Sequence, residues 1–204
     1  MNLEADALLA WLESRRSVRR FRRQDIPRPV LERILRTACT APSAHNRQPW
    51  RFAVVASGER RMSLAQAMAA EFRRDLQADG WTAAEAESRA ARAVDRLGEA
   101  PAAIILCSTL AGMDAYPEAR RQEAERIMAL QSVSLAGGQL LLAAHAEGLG
   151  ACWMCGPLFA PQAVRAALDL PDDWEPQAVI VLGWPDDEPA VPDRRPLEDV
   201  TRWR

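Results

Sequence analysis

The sequence predicts one mixed domain of helices and strands, of the α/β or α+β class, over residues 1–204. Three observations carry that expectation. At 204 residues and 49% hydrophobic, the chain is long enough for one sizeable core and short for two. Four short apolar runs, at 51–56, 102–107, 151–154 and 177–183, have the length and composition of strands. Between and around them lie stretches whose apolar residues recur at helical spacing.

Taken in order, Leu8, Leu9, Trp11 and Leu12 suit one face of a short first helix. Val30, Leu31, Ile34, Leu35 and Ala38 predict a second over 29–39. Pro29 is tolerated in its first turn, where the N–H it lacks would be orphaned anyway. Pro42 disfavours helical geometry at Ala41 and ends the helix. A polar loop over 43–49 then leads into the first strand. Residues 57–99 are charged and alanine-rich, predicting two or three helices with a break near Asp79-Gly80. Pro101 opens the second strand, and 111–119 is expected to be a loop. The longest helix is expected from about Glu123 to Glu147. From Val133 to Ala144 it has almost no polar face, which predicts burial on all sides and a partner subunit over part of it. Gly148 ends that helix, 161–168 is a further helix, and the tail from Trp184 to Arg204 is expected to lie extended over the body or a partner.

Charge and composition narrow the function classes. The net charge of −2 gives no overall pull toward nucleic acid or an anionic membrane. Every basic residue is arginine, so an anion site here must use guanidinium, which grips phosphate as a planar fork. The opening residues 1–6 are acidic, and the apolar stretch at 7–12 is far too short to span a bilayer. Cys39, Cys107, Cys152 and Cys155 are scattered through apolar runs, which predicts reduced, buried thiols in a cytoplasmic protein.

Two stretches carry candidate chemistry. The first is the run from Arg15 to Arg23, where Ser17, Val18 and Phe21 interrupt six arginines. A charge run commonly forms a solvated surface. Against that, Phe21 suits an open surface poorly, and alternating guanidinium and hydroxyl donors suit a compact dianion. On the residues alone both readings stay open. The second is the loop from Ala41 to Trp50, denser in short hydroxyl and amide side chains than a turn requires. Cys152 and Cys155 form a C-x-x-C, but it lies on an apparent strand, where residues three apart point to opposite faces. No second cysteine or histidine pair completes a metal shell, so no metal site is expected. No Gly-x-Gly-x-x-Gly follows a strand, so no Rossmann-type nicotinamide site is visible.

Together the two stretches resemble the nitroreductase family of flavoproteins. Arg15-Arg16-Ser17-Val18-Arg19 matches the family's opening pattern, and Pro42 to Trp50 matches its Pro-Ser-x-x-Asn-x-Gln-Pro-Trp loop. The likeness continues through 148–153 and ends with Arg194-Arg195-Pro196-Leu197. The resemblance implies an α+β fold, a central mostly antiparallel sheet flanked by helices, in an intertwined homodimer. It implies FMN as cofactor, with NADPH or NADH as reductant taking turns with a small-molecule acceptor of nitroarene or quinone type. Arg15, Ser17 and Arg19 would contact phosphate and ribityl, and Arg16 would act through its backbone. Pro42, Ser43, Asn46 and Gln48 belong to a loop that reaches the partner's flavin. Trp153, Met154, Cys155 and Gly156 would lie along the isoalloxazine ring, with the Gly156 N–H toward N5. Arg194, with Arg195 as the fallback, would be a late phosphate contact. The flavin carries the chemistry, so no catalytic side chain is assigned. His45 is a further candidate for touching flavin or substrate, and His145 is expected to be packed or at an interface. Substrate-facing residues would come from the middle segment, Phe72 or Trp81 among them.

Within the family, Gly148 to Trp184 looks nearest to the flavin domain of the F420-biosynthesis proteins. That likeness implies an alternative, reduction of a dehydro precursor of coenzyme F420. A non-catalytic flavin or F420 carrier or sensor, and the flavin-fragmenting relatives that make the lower ligand of cobalamin, are the other readings. A nucleic-acid role is the weakest, since nothing beyond the arginine run supports it.

Overall fold

The computed structural model describes residues 4–204; Met1, Asn2 and Leu3 of the acidic opening lie outside the described residues. In chain order the elements are α1 (Ala5–Ser14), α2 (Arg28–Ala38), β1 (Trp50–Val55), α3 (Gly58–Ala78), α4 (Ala83–Gly98) and β2 (Ala102–Ser108). There follow α5 (Ala119–Ala146), β3 (Gly150–Met154), α6 (Pro161–Leu168), β4 (Glu175–Gly183) and a single turn, α7 (Leu197–Val200). The strands form one sheet in the order β1-β2-β4-β3, and every neighbouring pair is antiparallel. The α+β expectation with an antiparallel sheet therefore holds.

The period-two alternation of β2 divides the core. Ala102 and Ile104 face a cluster with Ile34 of α2 and Leu140 of α5. Ala103, Ile105 and Cys107 face the opposite cluster, with Leu64 of α3, Leu97 of α4 and Val164 of α6. Strands covered on both faces read as continuous apolar runs, which is why β2 and β4 were legible as strands without alternation. Truncating a fully buried residue such as Ile104 to alanine costs about 2–5 kcal/mol.

Local chemistry sets the ends of the elements. The break after α3 falls where expected: Asp79 caps the helix and Gly80 turns the chain at φ +87°, a region that favours glycine. Thr82 and Glu85 then form a reciprocal capping box that starts α4. Helix α5 begins at Ala119, four residues before the expected Glu123. Its first turns lack a core pattern but are built of strong helix formers, with Arg126 paired to Glu123 at 2.8 Å.

Two expectations, on the cysteines and on the tail, are corrected. Within one protomer helix α5 is buried along one side; Leu135 on the other side, which the sequence assigns in part to a partner subunit, is 51% exposed. Its length and apolarity alone would let it cross a membrane, yet it packs as a core helix against α2 and the sheet. Cys39 and Cys155 are exposed rather than buried, because each sits one residue past the end of an element, where the chain turns to the surface; Cys107 and Cys152 are buried as expected. The tail is not wholly extended: it contains α7, and Trp203 beyond it is 90% exposed. Helix α1 likewise buries no residue, leaving Leu8, Leu9 and Leu12 uncovered.

Candidate functional site

The arginine run lies along β3, an edge strand of the sheet. Ser17 bridges Ala151 in parallel, and the Val18 N–H donates to the Ala151 carbonyl at 3.1 Å. The close approach depends on Gly150, where a Cβ would stand 2.5 Å from the Val18 side chain. Further on, Phe21 bridges Pro185 and packs into the core beside Gly183. Val18 and Phe21 thus root the run, and the arginines between them stay at the surface.

Only Arg20 of this run forms an ion pair among the described residues, with Asp187 at 3.7 Å. Arg16 Nη1 donates to the Arg15 carbonyl at 3.0 Å, and Arg19 Nη1 to the Ser17 carbonyl at 3.4 Å. Arg15, Arg16 and Arg22 border a cavity of about 630 Å³, closed on one side by the 148–151 segment and on another by the start of the tail. Ser17 and Arg19 do not border this cavity. Arg194 lies in the exposed tail, where Nη1 reaches the Asp193 carbonyl at 3.4 Å, and it does not join this wall within one protomer.

His145 of α5 also borders the cavity. Its ring stacks on Trp11 of α1, with centroids 4.9 Å apart. The Ser14 hydroxyl donates to the Trp11 carbonyl at 2.7 Å, so at 2.9 Å its oxygen accepts from His145 Nε2. The histidine is packed, as expected, and ties α1 to α5. Nothing in a sequence marks a pairing between residues so far apart.

At the other end of β3 the strand period separates its side chains. Trp153 turns toward α5, where Gly137 makes room: a Cβ at 137 would meet the indole at 2.2 Å. The indole N–H donates to Cys155 Sγ at 3.2 Å. Trp153 is therefore half-buried, with its ring packed against the core on the α5 side. Met154, Cys155 and Gly156 border a second cavity, of about 350 Å³, together with Met68 and Phe72 of α3. Of the two middle-segment aromatics singled out, Phe72 lines this cavity. Trp81 does not; it lies under the Arg89 guanidinium at 3.8 Å. The Gly156 N–H has no acceptor among the described residues.

The 42–50 loop is strained and held. His45, Asn46 and Gln48 have φ of 50°, 53° and 51°, the left-handed region that disfavours residues with a side chain. Such conformations cost about 1–2 kcal/mol per residue, less for asparagine, and persist only where surroundings over-determine them. Here Ser43 Oγ accepts the Gln48 N–H at 3.1 Å, and the Ala44 N–H donates to Ser132 Oγ of α5 at 3.2 Å. Arg47 pairs with Asp114 at 2.8 Å, and buried Trp50 roots the loop's end. No residue of 42–50 borders either cavity of its own protomer.

An α+β scaffold thus carries unpaired guanidiniums at one end of an edge strand, a free backbone N–H at the other, and a strained polar loop elsewhere. That donor set fits an elongated ligand with a phosphate at one end and a ring at the other. The chain belongs to the nitroreductase family, whose model matches residues 12–184. It is 35% identical to a 5,6-dimethylbenzimidazole synthase of Rhodospirillum rubrum over 92% of this chain and 85% of that one. It is 34% identical to an NADH dehydrogenase of Thermus thermophilus over 98% and 96% respectively. Its fold matches that of an FMN-dependent nitroreductase of Clostridium difficile with a TM-score of 0.67 at 22% identity, covering 91% of each chain. The protein is accordingly a nitroreductase-family oxidoreductase.

Proposed function

We propose that this protein is a soluble, cytoplasmic, FMN-dependent enzyme that uses NADH or NADPH to reduce a small electron-poor acceptor, of nitroarene or quinone type. The observation that carries the reading is the bridge between Ser17 and Ala151. It lays the arginine run along the strand that ends at Met154, two residues before Gly156. From Ala151 to Gly156 is at most about 16 Å of extended chain, within reach of one mononucleotide. Bound there, FMN would supply the two-electron chemistry, while the protein supplies position and electrostatics.

On this reading Arg15 and Arg19 hold the phosphate as charge-assisted donors, with the Ser17 hydroxyl beside them. The Gly156 N–H offers a hydrogen bond to the ring and favours negative charge there in the reduced state. Ser43, Asn46 and Gln48 act across a homodimer interface, with Arg194 joining the phosphate end from the tail. The bare apolar faces of α1 and α5 and the exposed Trp203 support such a dimer, since monomers seldom leave apolar surface of this extent uncovered.

A second reading is favoured by the likeness to a 5,6-dimethylbenzimidazole synthase: the protein consumes flavin instead of turning it over. One experiment separates the two. The purified protein is loaded with FMN, and bleaching of the flavin band is followed anaerobically with NADH, NADPH or reduced F420. Bleaching by a nicotinamide and reoxidation by a nitroarene or quinone is expected. Failure to take up FMN overturns both readings. A yellow protein that resists every reductant, and in air converts reduced flavin to a benzimidazole, establishes the second.

A further inference from the structure

We infer that the cavity between α3, α4 and the end of β3 is an acceptor pocket selective for small aromatic anions, with Arg96 as the residue that recognises the negative charge. The inference deepens the reading above by naming the substrate class of the same site. The cavity, at about 350 Å³, sits at the low end of the size range for small-molecule sites. It has room for one or two rings. Its floor is made of small residues, Ala65 and Ala69 among them, and its sides of Met68, Phe72 and Phe159. Thioether and aromatic side chains adapt to a flat ring and contact its edge and faces favourably.

Arg96, in the last turn of α4, is the one charged residue in the wall. Among the described residues it forms no ion pair, while Arg73, Arg74 and Arg60 of the neighbouring α3 each reach a carboxylate. An unpaired guanidinium at the rim of an apolar cavity recognises a carboxylate or sulfonate, and its planar fork favours the two-oxygen geometry of such groups. Gly156, whose N–H is free, borders the same cavity, so a ring seated with its anionic group on Arg96 lies against the segment assigned to the flavin.

The test uses FMN-loaded protein and two probes of similar size, 4-nitrobenzoate and nitrobenzene, with binding measured by calorimetry and turnover by nicotinamide oxidation. Wild type is expected to bind the benzoate about ten-fold more tightly, the equivalent of one charge-assisted contact at ~1.4 kcal/mol. Arg96→Gln is expected to erase that preference through the benzoate KM, with nitrobenzene unchanged. The exposed Arg96 makes no hydrogen bond among the described residues, so this variant should keep its fold. Ala93→Phe, which fills the cavity from α4, is expected to weaken both probes while flavin uptake persists. An unchanged benzoate preference in Arg96→Gln overturns the assignment. So does loss of flavin uptake in a folded Ala93→Phe variant, which makes the cavity the flavin's own. Flavin uptake by wild type is read separately from its absorbance, so failure of the cofactor reading is seen before either probe is added.

Discussion

The two ends of β3 are built from opposite chemistry. At its start, beside Gly150, the surroundings are charged: Arg15, Arg16 and Arg22 border an open cavity with Asp186, Asp187 and Glu188 of the tail across it. At its end, beside Gly156, they are apolar, with Met68, Phe72 and Phe159 round a smaller cavity and Arg96 alone carrying charge. One strand of five residues separates the two. The contrast shows how a short edge strand serves as a ruler. On the proposed function it fixes the distance between a charge-binding end and a ring-binding end with main-chain geometry, leaving side chains free to set the chemistry at each.

The largest effect should come from breaking the ruler itself. Gly150→Val places a side chain into Val18 and forces the arginine run off β3. Overpacking of this kind costs about 1–3 kcal/mol. Urea unfolding should report that loss, and the variant should retain little flavin. A variant that binds FMN normally would mean that the pairing of Ser17 with Ala151 does not matter to the site. Gly137→Leu tests the other face of the same strand, by driving the Trp153 ring out of its place on α5. A similar loss of stability is expected, with disturbance at the Gly156 end in place of the arginine end.

A smaller effect is expected at the strained loop. Gln48→Gly removes a side chain from a left-handed position, and about 1 kcal/mol of strain is relieved. Chemical denaturation of the apoprotein should show a modest gain in stability, while the holoprotein should hold FMN less tightly. A variant both more stable and equally tight would leave the strain without a functional purpose.

Much of this arrangement was legible before the fold was known, and the part that was not has clear causes. Strand and helix positions followed from runs and periodicities, because β2 and β4 are buried on both faces and α2 and α4 on one. The Arg15 to Arg19 and Pro42 to Trp50 motifs stood out as candidates, since each uses residue types that local structure alone does not require; within one protomer Arg15 and Arg16 border the larger cavity and the 42–50 loop borders neither. Contacts across long separations left no such trace. The seating of Val18 against Gly150, of Trp153 against Gly137 and of His145 against Trp11 each depends on a tertiary approach that spacing does not encode. The exposure of Cys155 and the choice of Phe72 over Trp81 turn on where an element ends or which way a helix is rotated, at the scale of a single residue.

A further effect concerns pH and separates the core from the site. Burial pushes the Cys107 thiol up to about 12 from the ordinary 9.0. Its neutral form is favoured by the fold, so that contribution is complete below pH 9 and is lost as pH rises from there toward 12. Stability measured by denaturation should therefore fall through this alkaline window, and Cys107→Ala should flatten the fall while lowering stability at neutral pH. Flavin affinity should not follow the same curve, because Cys107 lies away from both cavities.

The most direct test of the account compares FMN with riboflavin, which differ only in the phosphate. Dissociation constants for both are measured by flavin fluorescence on wild type and on an Arg15→Gln/Arg19→Gln double variant. Wild type is expected to prefer FMN by about 100-fold or more, from two charge-assisted contacts of ~1.5 kcal/mol each. In the double variant that preference should collapse while riboflavin binding stays constant. Equal affinity of wild type for the two flavins, or a preference that survives the loss of both arginines, would contradict the claim that the run along β3 holds the phosphate.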